Sequence, residues 1–160
     1  LLNIPVYSFL KACNAFLNTE NGGKIYLGIS EDENQDPMIH GIEKDGYKNN
    51  KDSYSSKINS LLENFIPYSN QRINVDFITI DNFTADSFKI KFDPKEELSE
   101  YNERTICEVS IKGYQNNPDL LEFIYQKDGK KQEEMHTKTV NGTHKMTLNE
   151  IANFFKKNIN

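Results

Sequence analysis

The sequence predicts an α+β fold, a mixed or antiparallel sheet packed with about three helices. Three observations carry that prediction. Apolar residues recur at helical spacing near both ends of the chain and once between them. Alternating apolar and polar residues fill much of the remainder, and pairs rich in glycine, asparagine or proline separate the segments.

The first helix begins near Pro5, whose fixed φ suits a first helical turn and whose missing N–H would be unpaired there anyway. Val6, Phe9, Leu10, Cys13, Phe16 and Leu17 form one apolar stripe. Asn18 to Gly23 breaks the period with residues that tolerate left-handed backbone, so the pair Gly22-Gly23 reads as a helix C-cap. Ile25, Leu27 and Ile29 alternate with Tyr26 and Gly28, which predicts a strand. Gly28 in mid-strand predicts close approach by another part of the chain. Glu31 to Asp36 is an acidic loop ended by Pro37, and Met38 to Ile42 then forms a hairpin partner for the first strand. Asp52 or Ser53 is placed to cap a second helix, with Tyr54, Ile58, Leu61, Leu62 and Phe65 on its apolar face and Pro67 stopping it.

Strand candidates follow at Ile73, Val75 and Phe77, and at Phe88, Ile90 and Phe92, joined by a turn over Asp81 to Asp86. A charged loop from Pro94 to Arg104 leads to Thr105, Cys107, Val109 and Ile111, with Cys107 toward the core. Leu121, Phe123 and Tyr125 precede a turn at Asp128-Gly129. A strand over Met135 to Thr139 runs into the turn pair Asn141-Gly142. Thr147 and Glu150 make a capping box for a last helix whose apolar face is Leu148, Ile151, Phe154 and Phe155.

A chain of 160 residues reads as one domain over 1–160. The edge Leu1-Leu2-Asn3 reads as that of a fragment lacking an upstream strand. No apolar run approaches the roughly 20 residues that span a bilayer, and no signal peptide is evident. With two unclustered cysteines, an intracellular, cytoplasmic setting is expected. Asn82 and Asn141 match glycosylation sequons but read as turns. The net charge of −5 argues against a broad nonspecific phosphate binder. Nucleic acid would need one basic face, and the balance points to an incomplete binder that shares its substrate with a partner.

Ala15, Phe16, Asn18, Thr19, Gly22, Gly23, Gly28 and Ile29 resemble the signature of Schlafen-like domains, which are related to an Alba-type nucleic-acid-binding domain. There a helix ends in AFxNTxGG and leads into a strand with an internal glycine and an acidic loop. This chain carries one extra residue, Glu20 or Asn21, before the glycines. Lys138 to Ile151 is similar to the family's closing turn and helix, with Lys138 at an arginine position and Val140 at a glycine position. The resemblance runs from Val6 to Phe155.

That resemblance implies metal-dependent RNA cleavage in which three carboxylates hold Mg²⁺ or Mn²⁺, hard cations that take oxygen ligands. Two come from a strand ahead of the signature helix and the third from the loop after the glycine strand. Counting from Gly28, the third falls on Glu31, with Asp32 adjacent; the first two have no counterpart, because none of the five residues before the helix is acidic. The plainer reading of the same charge run, and the one ordinary charge runs favour, is a solvated hairpin loop. Family members often carry zinc, yet His40, His136 and His144 show no zinc-ligand spacing with either cysteine.

Lys24, Lys138 and Lys145 are candidate RNA contacts. Tyr47, Tyr54, Tyr101 and Tyr114 lie in or near expected loops and are candidates for base stacking or for a protein interface. Cys13 reads as core, and Gly22-Gly23 as no phosphate cradle, since the pair follows a helix instead of opening one. The first reading is a scaffold and RNA-binding subunit, with an incomplete catalytic site, of an endoribonuclease acting on small-RNA precursors or tRNA-like RNA. It would pair with another Schlafen-like subunit as a homo- or heterodimer, as in the nematode enzyme that trims piRNA precursors. The alternatives are a complete endoribonuclease whose upstream glutamates are missing here, and an Alba-type DNA-binding or regulatory module.

Overall fold

The amphipathic stripe at the start of the chain folds as helix α1 (Val6–Leu17), burying Phe9, Leu10, Cys13, Asn14, Ala15 and Leu17. The structure, a computed structural model, describes residues 6–47, 50–66, 69, 71–87, 90–95, 98, 101–115, 117, 123–125 and 133–158. Within these the fold is α+β, as expected: four α-helices and ten strands are present among the described residues. Three strands, β1 (Gly23–Leu27), β4 (Ile73–Asp81) and β6 (Glu103–Ile111), form a sheet in the order β1-β6-β4. The chain divides into two units, and each of these strands contributes residues to both.

The first unit is built on Tyr26–Lys57 and Val75–Val109. Here β2 (Ile29–Glu31) pairs antiparallel with β3 (Pro37–Ile39), Ile29 opposite Ile39. Strand β3 pairs in parallel with β5 (Lys91–Phe92). Gly28 does not lie in mid-strand: its φ of +99° ends β1 and separates it from β2. The predicted close approach is real. The N–H groups of His40 and Gly41 both donate to the Gly28 carbonyl, at 3.0 and 2.9 Å, and a Cβ on Gly28 would lie 3.0 Å from Gly41 Cα. The hairpin strand is shorter than expected, because Ile42 opens a 3-10 turn over Ile42–Asp45 closed by Gly46 in the left-handed region.

Helix α2 (Lys51–Phe65) is capped by neither Asp52 nor Ser53. Asn50 Oδ1 accepts the Ser53 N–H at 3.0 Å, so the cap lies two residues before Asp52. The expected turn at Asp81 is instead the short helix α3 (Asn82–Ser87), because Asp81 Oδ1 captures the Thr84 N–H at 2.7 Å as an N-cap. Arg104, expected in a loop, is a buried residue of β6. Ile39, Ile42, Tyr54, Leu98, Ile106, Cys107 and Val109 are buried in this unit. Tyr54 meets Tyr47 and Phe77 edge-on, at 4.9 and 6.2 Å between ring centres.

The second unit takes in 6–25, Ile58–Asn74 and Ser110–Asn160. Strands β9 (His136–Thr139) and β10 (Gly142–Lys145) form the hairpin expected around Asn141-Gly142, with Thr139 opposite Gly142. Ile124–Tyr125 (β7) pairs with Glu133–Glu134 (β8). The capping box of α4 (Leu148–Asn158) is formed: Thr147 N–H donates to Glu150 Oε2 at 2.7 Å and Glu150 N–H to Thr147 Oγ1 at 3.3 Å. Leu148, expected on the buried face, is 85% exposed; the apolar side of α4 begins at Ile151. Pro67, Phe88, Leu121 and Asp128-Gly129 lie outside the described residues.

Candidate nucleic-acid interface

The signature Asn18-Thr19…Gly22-Gly23 sits in the second unit, and each member has a mechanical task. Asn14 and Asn18 are fully buried on α1 and at its end. Asn14 Oδ1 accepts the His136 N–H at 2.8 Å, and Asn18 Nδ2 donates to the His136 carbonyl at 3.1 Å and to Asn14 Oδ1 at 3.3 Å. The pair therefore clamps β9 to α1 through backbone groups that would otherwise be buried unpaired. Thr19 Oγ1 donates to the Phe16 carbonyl at 2.8 Å and accepts the Gly22 N–H at 3.0 Å, which closes the loop.

The glycine pair is not a helix C-cap, since α1 ends five residues before Gly22. Gly22 has φ +75°, and a Cβ there would stand 1.9 Å from the Ile111 carbonyl oxygen; one on Gly23 would stand 2.2 Å from the Phe16 ring. Both positions exclude a side chain because the loop is pressed against its neighbours. The loop also pairs with the segment after β6: the N–H groups of Tyr114 and Gln115 donate to the carbonyls of Thr19 and Glu20, at 2.8 and 3.1 Å.

This close packing shapes a groove of about 560 Å³ where β1 and β4 begin and β6 ends. Lys24, Arg72 and Lys112 bring cationic side chains to it, and Asn21, Gln71 and Asn74 bring amides. No acidic residue is among the described residues that line it. Arg72 is buried and held firmly: its guanidinium donates to the Leu17 carbonyl at 2.7 Å and the Lys112 carbonyl at 3.2 Å. The Leu17 carbonyl is at the negative end of α1, a favourable place for a fixed cation. In a chain of net charge −5, these three cationic residues share one groove, and cationic side chains are the groups that bind phosphate.

The acidic loop is arranged differently. Glu31 is exposed at the end of β2, opposite Pro37. Asp32 Oδ1 accepts the N–H groups of Asp36 and Asn34, at 3.0 and 2.8 Å, and Oδ2 lies 3.2 Å from Lys91 Nζ. Those two amides, with Lys91 adding to them, hold its carboxyl below the usual carboxylate range. Asp32 thus shapes its own hairpin loop. Among the described residues no three His, Cys, Asp or Glu side chains come together so as to hold a metal ion. The donor set around Glu31 does not by itself fit Mg²⁺ or Mn²⁺, which need several oxygen ligands.

Lys24 lines the groove, whereas the other two candidate lysines are on the β9–β10 hairpin. Lys138 Nζ lies 5.1 Å from the centre of the Phe16 ring. Lys145 Nζ is 2.6 Å from Glu134 Oε1, and the Tyr7 hydroxyl donates to the other oxygen of that buried carboxylate. Burial would raise the Glu134 carboxyl, but these two partners outweigh it and hold it low, while their carboxylate pushes the Tyr7 phenol up to about 12. Of the tyrosines, Tyr54 is fully buried and is excluded from stacking on a base. Tyr114 is half-buried with its ring against Phe154. Cys13 and Cys107 are both buried; burial pushes the Cys13 thiol up strongly and the Cys107 thiol to about 12, so neither is a ready nucleophile.

A family model described as Schlafen, AlbA_2 matches residues 4–147. The chain belongs to that family. Its members are nucleic-acid-binding or nuclease-like domains, and the Schlafen match embraces the signature loop, the groove and the hairpin. No curated protein and no solved structure matches the chain. Among the described residues, no helix is long and apolar enough to cross a membrane.

Arg72 and Lys112, two of the three groove cations, were not singled out from the sequence. Each stands at a strand end, and no local period or motif links residues 24, 72 and 112. Arg72 had one visible signal: a charged residue beside Ile73, at the entry to an alternating strand.

Proposed function

We propose that this Schlafen domain is the scaffold and RNA-binding subunit of a metal-dependent endoribonuclease that processes small-RNA precursors or tRNA-like RNA in the cytoplasm. The groove of Lys24, Arg72 and Lys112 holds the phosphodiester backbone, and a second Schlafen-like subunit supplies the carboxylates that this chain's described residues do not assemble. The observation that carries the reading is the groove itself: three cations and three amides, with no acidic residue on its described walls. Cations neutralise phosphate and release its counterions, which supplies sequence-independent affinity. Amides add hydrogen bonds to phosphate or sugar and set register.

Titration of a fluorescently labelled hairpin RNA tests this directly. Lys24→Glu and Lys112→Glu should each weaken binding, whereas unchanged affinity in both would remove the groove from the interface. Glu31 is exposed and would act as a metal ligand only alongside carboxylates from elsewhere. Glu31→Ala should then leave RNA binding intact and abolish Mn²⁺- or Mg²⁺-dependent cleavage by the assembled enzyme. Cleavage at the parental rate would make the acidic loop purely structural.

A further inference from the structure

The first unit contains a cavity of about 470 Å³ walled by Glu43, Lys51, Tyr101, Asn102, Glu103 and Thr105, within the size range of small-ligand sites. Its central feature is Glu43, only 8% exposed. The Thr105 N–H is shared between the two carboxylate oxygens at 3.0 and 3.1 Å, and among the described residues no cation pairs with them. Room for the carboxylate exists because position 41 is glycine: a Cβ there would lie 1.9 Å from Glu43 Oε2. An ionised carboxylate offers about four acceptor positions, and a buried one left with a single donor carries an uncompensated cost. A ligand carrying N–H donors would satisfy part of that acceptor capacity.

The complement of a buried carboxylate is a planar edge with two adjacent N–H donors, which it can bind through both oxygens. Among nucleobases only guanine presents that edge, as N1–H beside the 2-amino group. Adenine would set its N1 lone pair against the carboxylate. Tyr101 also lines the cavity; the Arg104 guanidinium lies 5.8 Å from its ring centre, and aromatic rings of this kind stack on bases. Lys51, whose Nζ lies 3.4 Å from Thr79 Oγ1, is a donor of the kind that reads O6 and N7 of guanine. We propose that this cavity binds a guanine base, with Glu43 reading N1–H and the 2-amino group, Tyr101 stacking and Lys51 donating to the opposite edge. The choice of a nucleobase rests on the family's association with nucleic acid and not on the groove of the second unit.

The test is NMR titration of the intact protein with guanosine, inosine and adenosine 5′-monophosphates and, separately, arginine methyl ester. Guanosine monophosphate should bind saturably, inosine monophosphate about tenfold more weakly for the loss of one charge-assisted hydrogen bond, and adenosine monophosphate not measurably. Glu43→Gln should erase the preference for guanosine over inosine monophosphate. Because Glu43 also receives the Thr105 N–H, Tyr101→Ala and Lys51→Ala are measured beside it and should weaken guanosine monophosphate binding in a protein with parental circular dichroism. Equal binding of guanosine and adenosine monophosphates, no saturation by the former, or tighter binding of arginine methyl ester would each overturn the assignment. If nucleotide binding is absent while hairpin RNA still binds through Lys24 and Lys112, the cavity proposal fails alone. The converse result would overturn the groove reading and leave this one standing.

Discussion

Replacing Lys24 and Lys112 with alanine removes two of the three cations that line the groove. Arg72 stays, because its guanidinium holds the carbonyls of Leu17 and Lys112 and its loss would perturb the fold. If each cation neutralises one phosphate, affinity for RNA should fall with salt along a log–log slope of about −2 to −2.7, from roughly 0.7 to 0.9 per phosphate. Between about 50 and 200 mM salt the parent should lose roughly 20- to 40-fold in affinity, and the double variant, with one contact left, only about threefold. Fluorescence anisotropy of a labelled hairpin RNA over a KCl series reads both numbers. Lys145→Ala is the control, since that ammonium is already paired with Glu134, and should leave the slope near the parental value. A double variant that keeps the parental slope would refute the groove as the phosphate site, even if its affinity at one salt concentration were lower.

Asn14→Ala removes the acceptor of the buried His136 N–H and one partner of Asn18; stability in urea should drop by about 2–4 kcal/mol, and a loss below about 0.5 kcal/mol would show that the clamp is dispensable. Gly22→Ala places a Cβ 1.9 Å from the Ile111 oxygen at a positive φ and should cost about 2 kcal/mol or more; an unshifted thermal transition would refute the close approach. His136 is buried and its titration is pushed below the ordinary 6.5 by that burial, with Lys11, Lys145 and His144 acting in the same sense and Glu134 opposing. The unfolded chain therefore binds this proton more readily than the folded one. The contribution of His136 should be whole above about pH 6.5 and decline as pH falls through the lowered value, so stability between about pH 7 and pH 5 should drop less steeply in His136→Gln. Equal slopes in the two proteins would refute it.

Local pattern in the sequence marked α1, the hairpin at Asn141-Gly142 and the capping box of α4, because each depends on residues within a few positions of one another. It also marked Asn18, Thr19, Gly22 and Gly23 as a unit. The glycine pair reads locally as a helix C-cap, since the objects that exclude a side chain there, the Ile111 carbonyl and the Phe16 ring, are not specified by any local period. Asn50 and Asp81 were missed as caps for a smaller reason. Several polar residues near each helix start can serve, and backbone direction alone selects among them.

The candidate sites divide along the same line. The α+β class, the kinship with Schlafen domains and the acidic loop after the glycine strand are all written in spacing and residue type. Folding in three dimensions ties Asp32 to its own loop and Lys91, neutralises Lys145 with Glu134 and puts Tyr54 in the core. Only it gathered Lys24, Arg72 and Lys112 from three strand ends into one groove, and Glu43, Lys51 and Tyr101 around one cavity. Electrostatics and burial depend on distances in space; Lys24, Arg72 and Lys112, each 40 or more positions from the next, acquire theirs only when the strands pair.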